Sequence, residues 1–228
     1  MAGSQSVATA TALRALGRTV DQTVVVAGLP DGSPSAGVLE ADDVIVSVDG
    51  DPATSADAVR AAVQRHEPGD SIPVVVRRDG AERTVTARTG ESDGRTILGI
   101  SLRLDYDLPV DVTLRTGGVG GPSAGLMFSL AILDVLTPGE LTGGRNIAGT
   151  GTMADDGTVG PIGGIRQKLV GARRAGADFF LAPADNCPEV VGHVPDGLRG
   201  VRVATFDEGR DAVEDIASGD VASLPACS

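Results

Sequence analysis

A short polar segment near the middle of the sequence separates two halves with different residue patterns, and this division limits the folds that the chain can adopt. The segment covers residues 89–94, TGESDG, and is polar and glycine-containing enough to be a linker or an exposed turn. Before it, short β-branched runs alternate with tight turns and short helical patterns. After it, a glycine-rich loop leads at once into an apolar helix. The pattern predicts an α+β chain, with a small β module carrying two helices followed by a domain of mixed sheets and helices.

Composition limits both the core and the partners. Hydrophobic residues make up 41% of the 228 positions, so the chain can bury a core. Trp is absent and there are only one Tyr and four Phe, so the core has to be built from Val, Leu, Ile and Ala, and an aromatic platform for stacking bases is excluded. The 31 acidic residues against 19 basic ones give a formal charge of −12. This balance argues against a nucleic-acid partner, because neutralising phosphates takes clustered Lys and Arg.

The sequence shows no pattern of a leader peptide, a membrane span or a metal site. The most apolar stretch, Leu126 to Leu136, is far shorter than the ~20 residues of a membrane helix, so we expect the chain as given to be soluble. Cys187 and Cys227 leave two alternatives open, a disulfide in an oxidising compartment or two free thiols. Cysteine and histidine do not follow metal-site spacing, and Asp155 and Asp156 favour a turn, so no metal is predicted.

The first half combines a glycine turn, a strand with a tight Asp-Gly turn, a short capped helix and a closing strand; these are residues 32–39, 43–50, 55–63 and 74–80. This pattern resembles a PDZ domain of the bacterial protease-associated type. Such modules bind an extended peptide, often a C-terminus, as an added strand at a sheet edge, while backbone N–H groups of a loop hold the carboxylate. By position, that loop comprises Leu16, Gly17, Arg18, Thr19 and Val20. The alternative is a structural spacer whose groove is unused.

The second half contains a glycine-rich loop that delivers a serine to the start of a helix. The loop, residues 117–125 with the sequence GGVGGPSAG, is followed directly by the apolar run 126–136. Glycines let backbone N–H groups approach a ligand, and a helix start adds donors and positive partial charge where an oxyanion would form. Three alternatives compete with a catalytic role. A phosphate loop lacks its lysine here, a dinucleotide loop fits poorly with Pro122, and a purely structural turn would use Ser123 as an N-cap.

A second motif places a lysine on the apolar side of a helix. The helix covers residues 165–176 and follows the glycine-containing segment 158–164. At ~100° per residue, Ile165 and Leu169 share one face, and Lys168 lies on that side. Burial disfavours the charged form of an amine, and a lysine brought towards neutrality can take the proton from a serine hydroxyl. The alternative is that Lys168 extends its amine to solvent from the edge of the apolar face.

Taken together, residues 97–217 resemble the proteolytic domain of Lon proteases, and are closest to the ATP-independent bacterial family in which a PDZ domain is fused to that domain. The segment 121–125, GPSAG, matches the nucleophile motif, so the resemblance implies that Ser123 is the nucleophile. The segment 160–169, GPIGGIRQKL, matches the lysine motif and implies that Lys168 is the general base.

The resemblance also implies supporting residues around this pair. The segment 148–151, AGTG, matches the one whose threonine helps to orient the lysine, which assigns that role to Thr150. By analogy with the family loop, backbone N–H groups of Ser123 and of Gly120 or Gly121 form the oxyanion hole. ATP-dependent Lon enzymes usually carry an acidic residue three positions before the serine, and this chain has Gly120 there. Whether the site is gated as in those enzymes is therefore open.

The implied domains are a helical segment at 1–19, the PDZ-like domain at 20–90, the proteolytic domain at 91–222 and a tail at 223–228. The implied function is a serine endopeptidase that cleaves unfolded or flexible polypeptide segments without a nucleotide or cofactor, and that uses the PDZ module for substrate binding or regulation. Two alternatives remain, a catalytically silent peptide-binding adaptor and an amidase for a non-peptide substrate.

The resemblance further implies an extracytoplasmic enzyme held at the membrane by an N-terminal helix that this chain lacks. The resemblance is also compatible with a homo-oligomer, such as a hexameric ring. The sequence itself shows no interface. His66 and His193 lack a carboxylate partner in a recognisable triad order and are expected in surface loops, and a Ser-Lys mechanism needs no histidine.

Overall fold

The computed structural model of the protein describes residues 2–114 and 121–228, and its α+β architecture confirms the predicted fold class. The chain forms two compact units. One covers residues 21–107, and the other joins residues 1–20 to residues 108–228. This division differs from the predicted boundaries, which separated residues 1–19 and began the second domain at 91. The reason is that the helix at the N-terminus and a strand beyond residue 91 each pack with the other half of the chain.

The unit of residues 21–107 is built on an antiparallel sheet. The strand order is β5-β4-β2-β1-β8, with β3 paired to β2, and β6 and β7 form a separate hairpin. The strands are β1 (Gln22–Gly28), β2 (Val44–Val48), β3 (Asp51–Pro52), β4 (Ser71–Arg78), β5 (Ala81–Arg88), β6 (Gly90–Ser92), β7 (Arg95–Ile97) and β8 (Ser101–Tyr106). Because β8 pairs antiparallel with β1, the chain completes this unit only after residue 106.

One helix, α2 (Ala56–Val63), contributes to the core of this unit. Ser55 caps it by accepting a hydrogen bond from the Ala58 N–H at 3.0 Å, as its sequence predicts. Its apolar face buries Val59, Ala62 and Val63 among aliphatic side chains of the sheet. The buried core of this unit contains only Val, Leu, Ile and Ala. The four Phe of the chain all lie in the other unit.

A buried ion pair between Asp43 and Arg78 connects the turn before β2 to strand β4. The side chain of Asp43 has no exposed surface and accepts two hydrogen bonds of 2.7 Å from Arg78, from Nε and from Nη2. Arg78 also donates to the Val38 carbonyl and to the Glu40 carboxylate. Burial by itself would raise the pKa of Asp43, but the hydrogen bonds from Arg78 and from the Glu40 N–H, with the charge of Arg78, outweigh it and lower that pKa.

The second unit places helices around a three-stranded parallel sheet of order β13-β12-β9 and a small hairpin of β10 and β11. The strands are β9 (Ile147–Gly149), β10 (Thr152–Met153), β11 (Val159–Gly160), β12 (Phe179–Pro183) and β13 (Arg199–Val203). The helices are α1 (Ala2–Ala15), α3 (Gly125–Leu136), α4 (Ile165–Arg174), α5 (Cys187–Val190) and α6 (Phe206–Ser218). Short 3₁₀ turns at Pro122–Ala124 and Ala184–Asn186 precede α3 and α5.

Helix α1 belongs to the core of this second unit. Residues 8–13 are all buried, and Ala8 and Ala12 pack in the same cluster as Leu126 and Leu130 of α3. The small alanine side chains let the two helices approach closely. The predicted helical segment is therefore an integral part of the unit that contains Ser123.

Cys187 and Cys227 form a disulfide, which decides between the two alternatives that the sequence left open. The bond links α5 to the C-terminal tail, and Cys227 packs against the small core beneath α4. Among the residues described, no helix is both long and apolar enough to cross a membrane.

Candidate active site

Ser123 lies in the 3₁₀ turn that leads into α3, and its backbone is held from two sides. Gly121, just before this turn, has a φ of 92°, a conformation that favours glycine. The carbonyl of Ser123 accepts hydrogen bonds from the Gly151 N–H and from the Thr150 hydroxyl, both at 2.8 Å. Its side chain is half-buried. The serine hydroxyl is therefore presented by a fixed backbone.

Lys168 reaches this serine from helix α4. The helix follows Gly164, which has a left-handed conformation with a φ of 72°. Ile165 and Leu169 are fully buried, so the helix is anchored on both sides of Lys168, which is itself half-buried. The Lys168 Nζ donates to the Ser123 Oγ at 3.1 Å. This distance is within the reach that a general base requires.

Thr150 connects the two residues. It follows β9, is 1% exposed, and donates its N–H to the Leu181 carbonyl of β12 at 3.1 Å. Its hydroxyl accepts a hydrogen bond from the Lys168 Nζ at 3.0 Å and donates to the Ser123 carbonyl. A single buried hydroxyl therefore orients the amine and fixes the backbone of the serine.

Close packing around this cluster requires glycine at two positions. A Cβ at Gly125 would lie 2.7 Å from the Met153 backbone nitrogen, and one at Gly149 would lie 2.6 Å from the Met127 Sδ. Gly125 begins the helix after Ser123, and Gly149 ends the strand before Thr150. The abundance of glycine in this half of the sequence therefore has a steric cause, in addition to turn formation.

The structure brings together Ser123, Lys168 and Thr150, with Gly121 two positions before the serine. Gly120, the other predicted contributor to an oxyanion hole, lies outside the described residues. His66 contacts Asp49 at 3.1 Å in the PDZ-like unit, and the His193 Nδ1 lies 3.0 Å from a backbone carbonyl. No cluster of metal-ligating side chains occurs among the residues described.

The residues of the predicted PDZ loop fall within the compact unit that contains Ser123. Leu16, Gly17, Arg18, Thr19 and Val20 follow α1 and belong to the unit of Ser123, where Leu16 packs against the core. The PDZ-like unit has a groove of about 850 Å³ between α2 and the segment from β7 to β8. It is lined on the helix side by Val59, Arg60, Val63 and Gln64 and on the strand side by residues 95–102.

Three residues directly before β8 line this groove. Leu98, Gly99 and Ile100 form an apolar-glycine-apolar triplet directly before β8, with Gly99 at a φ of 67°. The predicted loop instead precedes strand β1. That strand is covered on both sides, by β2 and by β8.

Comparison with known families assigns both parts of the chain. Residues 105–216 match the family described as the Lon protease (S16) C-terminal proteolytic domain. Residues 11–89 match the PDZ domain. Residues 105–216 thus match the proteolytic domain of a Lon-type serine peptidase, and the chain combines this domain with a PDZ domain, so both resemblances found in the sequence are confirmed.

Among individual relatives, Lon protease 1 of Bacillus subtilis is 33% identical over 106 residues, which are 45% of this chain and 13% of that protein. Lon protease 2 of Herpetosiphon aurantiacus is 34% identical over 122 residues, which are 53% of this chain and 15% of that protein. The match therefore spans a small part of these longer relatives. Among solved structures, the PDZ domain of an SdrC-like protein from Listeria monocytogenes is 24% identical, covers 37% of this chain and 90% of its own, and has a TM-score of 0.34.

Proposed function

We propose that this protein is an ATP-independent endopeptidase in which Ser123 and Lys168 act as a dyad. The observation that carries the proposal is the 3.1 Å contact between the Lys168 Nζ and the Ser123 Oγ, completed by the buried Thr150 hydroxyl. The uncharged amine takes the proton of the serine hydroxyl, and the Oγ attacks the peptide carbonyl. Backbone N–H groups at Gly121 and Ser123 stabilise the oxyanion. The amine then protonates the leaving nitrogen, and a water molecule activated by the same base releases the acyl group.

The proposed substrate class takes account of the two glycine-rich segments that precede helices, residues 117–125 and 158–164, since neither has the Gly-Lys-Ser/Thr ending of a phosphate loop. We expect substrates that need no ATP-driven unfolding, namely flexible segments and accessible chain ends. The disulfide favours an oxidising compartment, in line with the extracytoplasmic location that the resemblance implies. A membrane anchor and a hexameric assembly stay predictions from that resemblance.

The function is tested by incubating the purified chain with casein, an unstructured protein, in the absence of nucleotide. We expect cleavage that ATP and Mg²⁺ do not accelerate, and no cleavage by a Ser123→Ala chain purified in the same way, which controls for contaminating proteases. Cleavage that requires ATP would contradict the independence from nucleotide. Equal cleavage by both chains would exclude Ser123 as the nucleophile.

The second candidate is a peptide-binding adaptor without catalysis, which the groove of the PDZ-like unit favours. The retained contacts among Ser123, Lys168 and Thr150 argue against it, because a silent scaffold has no need to keep all three side chains. In the peptidase, the same groove would deliver substrate. An extended peptide would add to the edge of β8, with an aliphatic terminal side chain between α2 and residues 98–102.

The role of the groove in substrate delivery is tested with the variant Ile100→Arg, which places a positive charge among the apolar residues that line the groove. Val85→Arg is the matched control, because Val85 is also a half-buried aliphatic residue against the same core, at the opposite edge of the sheet. We expect Ile100→Arg to raise the KM for casein by roughly tenfold, the equivalent of one anchoring side chain, and to leave cleavage of a short fluorogenic peptide unchanged.

The control variant should leave both substrates unaffected. Equal losses on casein and on the short peptide would remove the delivery role from the groove. Deleting the N-terminal part of the chain is a poorer test, because α1 belongs to the core of the proteolytic unit.

A further inference from the structure

A buried amide lies next to the loop that leads into the lysine helix. Asn186 is 2% exposed and is at the end of the 3₁₀ turn after β12. Its Oδ1 accepts a hydrogen bond from the Ile162 N–H at 2.9 Å, and its Nδ2 donates to the Ile162 carbonyl at 3.0 Å. The Nδ2 also donates to Glu189 at 3.1 Å. The side chain thus pairs with both backbone groups of a single loop residue, as a neighbouring strand would.

That loop determines where α4 begins. Ile162 lies between the end of β11 and the first residue of α4, and it packs against the cluster that contains Ile165 and Leu169. Lys168 is in the first turn of the helix, with its N–H donating to the Gly164 carbonyl. A shift of the loop is therefore transmitted directly to the lysine, since no further turn of helix separates them.

Strand β12 positions both the loop that leads to Lys168 and Thr150, the hydrogen-bond partner of that lysine. Strand β12 accepts the Thr150 N–H at the Leu181 carbonyl, and Asn186 follows the end of the same strand by three residues. The next residue, Cys187, is fixed by its disulfide. The anchoring points of Thr150 and of the loop at Ile162 are therefore both set by β12.

We propose that Asn186 is a positioning residue, which holds the loop at Ile162 so that the Lys168 amine meets the Ser123 and Thr150 hydroxyls. This role rests on the dyad of the proposed function. Asn186 lies on another element and acts through the loop and α4. A displacement of about 1 Å in a reacting group can lower a rate by roughly 100-fold, so a modest relaxation of the loop has a large kinetic effect.

The test uses Asn186→Leu, which removes the polar groups at similar volume, and Asn186→Asp, which keeps the acceptor for the Ile162 N–H. The matched control is Asp134→Ala. Asp134 Oδ1 accepts from the Leu141 N–H at 2.7 Å, so it holds another loop of the same unit, at the far end of α3. Two rates are measured, peptide turnover and labelling of Ser123 by a small fluorophosphonate, together with the melting temperature of each variant.

We expect Asn186→Leu to lower kcat by 10-fold to 100-fold with the KM for a short peptide changed less than threefold, and to slow the labelling by a similar factor. Asp134→Ala should keep wild-type values at a comparable loss of melting temperature. If Asn186→Leu does not fold, Asn186→Asp carries the test with the same readouts. Equal rates for the Asn186 variants and the control would overturn the role of Asn186, whereas an inactive wild-type chain would instead overturn the proposed function.

Discussion

Replacing Lys168 with methionine is expected to lower the rate of peptide cleavage by roughly 10²-fold to 10⁴-fold, the usual contribution of a general base. Methionine keeps an unbranched apolar side chain of similar length and removes the amine that contacts Ser123 and Thr150. Lys168→Arg should be equally inactive, because a guanidinium keeps the positive charge but cannot accept the proton. The measurement is kcat for a short fluorogenic peptide.

Arg166→Met is the matched control for this experiment, since Arg166 is an exposed cation on the same helix, and its rate should stay within twofold of the wild type. A Lys168→Arg variant with the activity of the wild type would exclude a lysine base.

The largest effect on stability is expected at Arg78. The Arg78→Met variant leaves the fully buried Asp43 carboxylate without its cation, and we expect the free energy of unfolding of the PDZ-like unit to fall by about 3 kcal/mol. Arg77→Met is the matched control. Arg77 is the preceding residue and pairs with Glu82 on the surface, so its loss should cost less than ~1 kcal/mol.

This prediction can be measured for one unit alone, because Tyr106 is the single tyrosine of a chain without tryptophan and lies in β8. Urea titrations followed by tyrosine fluorescence therefore report the unfolding of the PDZ-like unit.

The pH dependence of this stability follows from the lowered pKa of Asp43. The contribution of the ion pair to the free energy of unfolding is complete above the ordinary aspartate pKa of about 3.9, and it is lost as the pH falls through the pKa of Asp43 in the folded protein. The difference between Arg78→Met and wild type should narrow below about pH 4, and equal unfolding of Arg77→Met and Arg78→Met at pH 7 would contradict a stabilising role for the buried pair.

The predictable part of this protein consists of short contiguous motifs. The turn with Ser123, the helix with Lys168 and the segment with Thr150 are each local in sequence, and their contacts in the structure agree with the family motifs. The N-cap of α2 and the Asp-Gly turns are also predictable from the sequence, because each depends on a few neighbouring residues.

Long-range pairing was not predictable in the same way. That β8 pairs with β1 depends on a contact across the whole unit, and the compact unit therefore extends to residue 107, beyond the predicted boundary at residue 90. Asn186 carried no signal either, because a lone asparagine before a cysteine resembles any turn residue until the Ile162 loop is seen beside it. The disulfide stayed an open alternative for the same reason, since 40 residues separate its cysteines.

The placement of α1 also has a consequence for synthesis of the chain. This helix leaves the ribosome before the PDZ-like unit, yet its packing partner α3 is made only after that whole unit, which can fold in the meantime. During that interval α1 is not yet packed against α3. The side chains that it later buries are mostly small, with Ala8, Ala10 and Ala12 beside a single leucine, Leu13. Side chains of this size expose little apolar surface, which suits a segment that must stay free of aggregation until its packing partner exists.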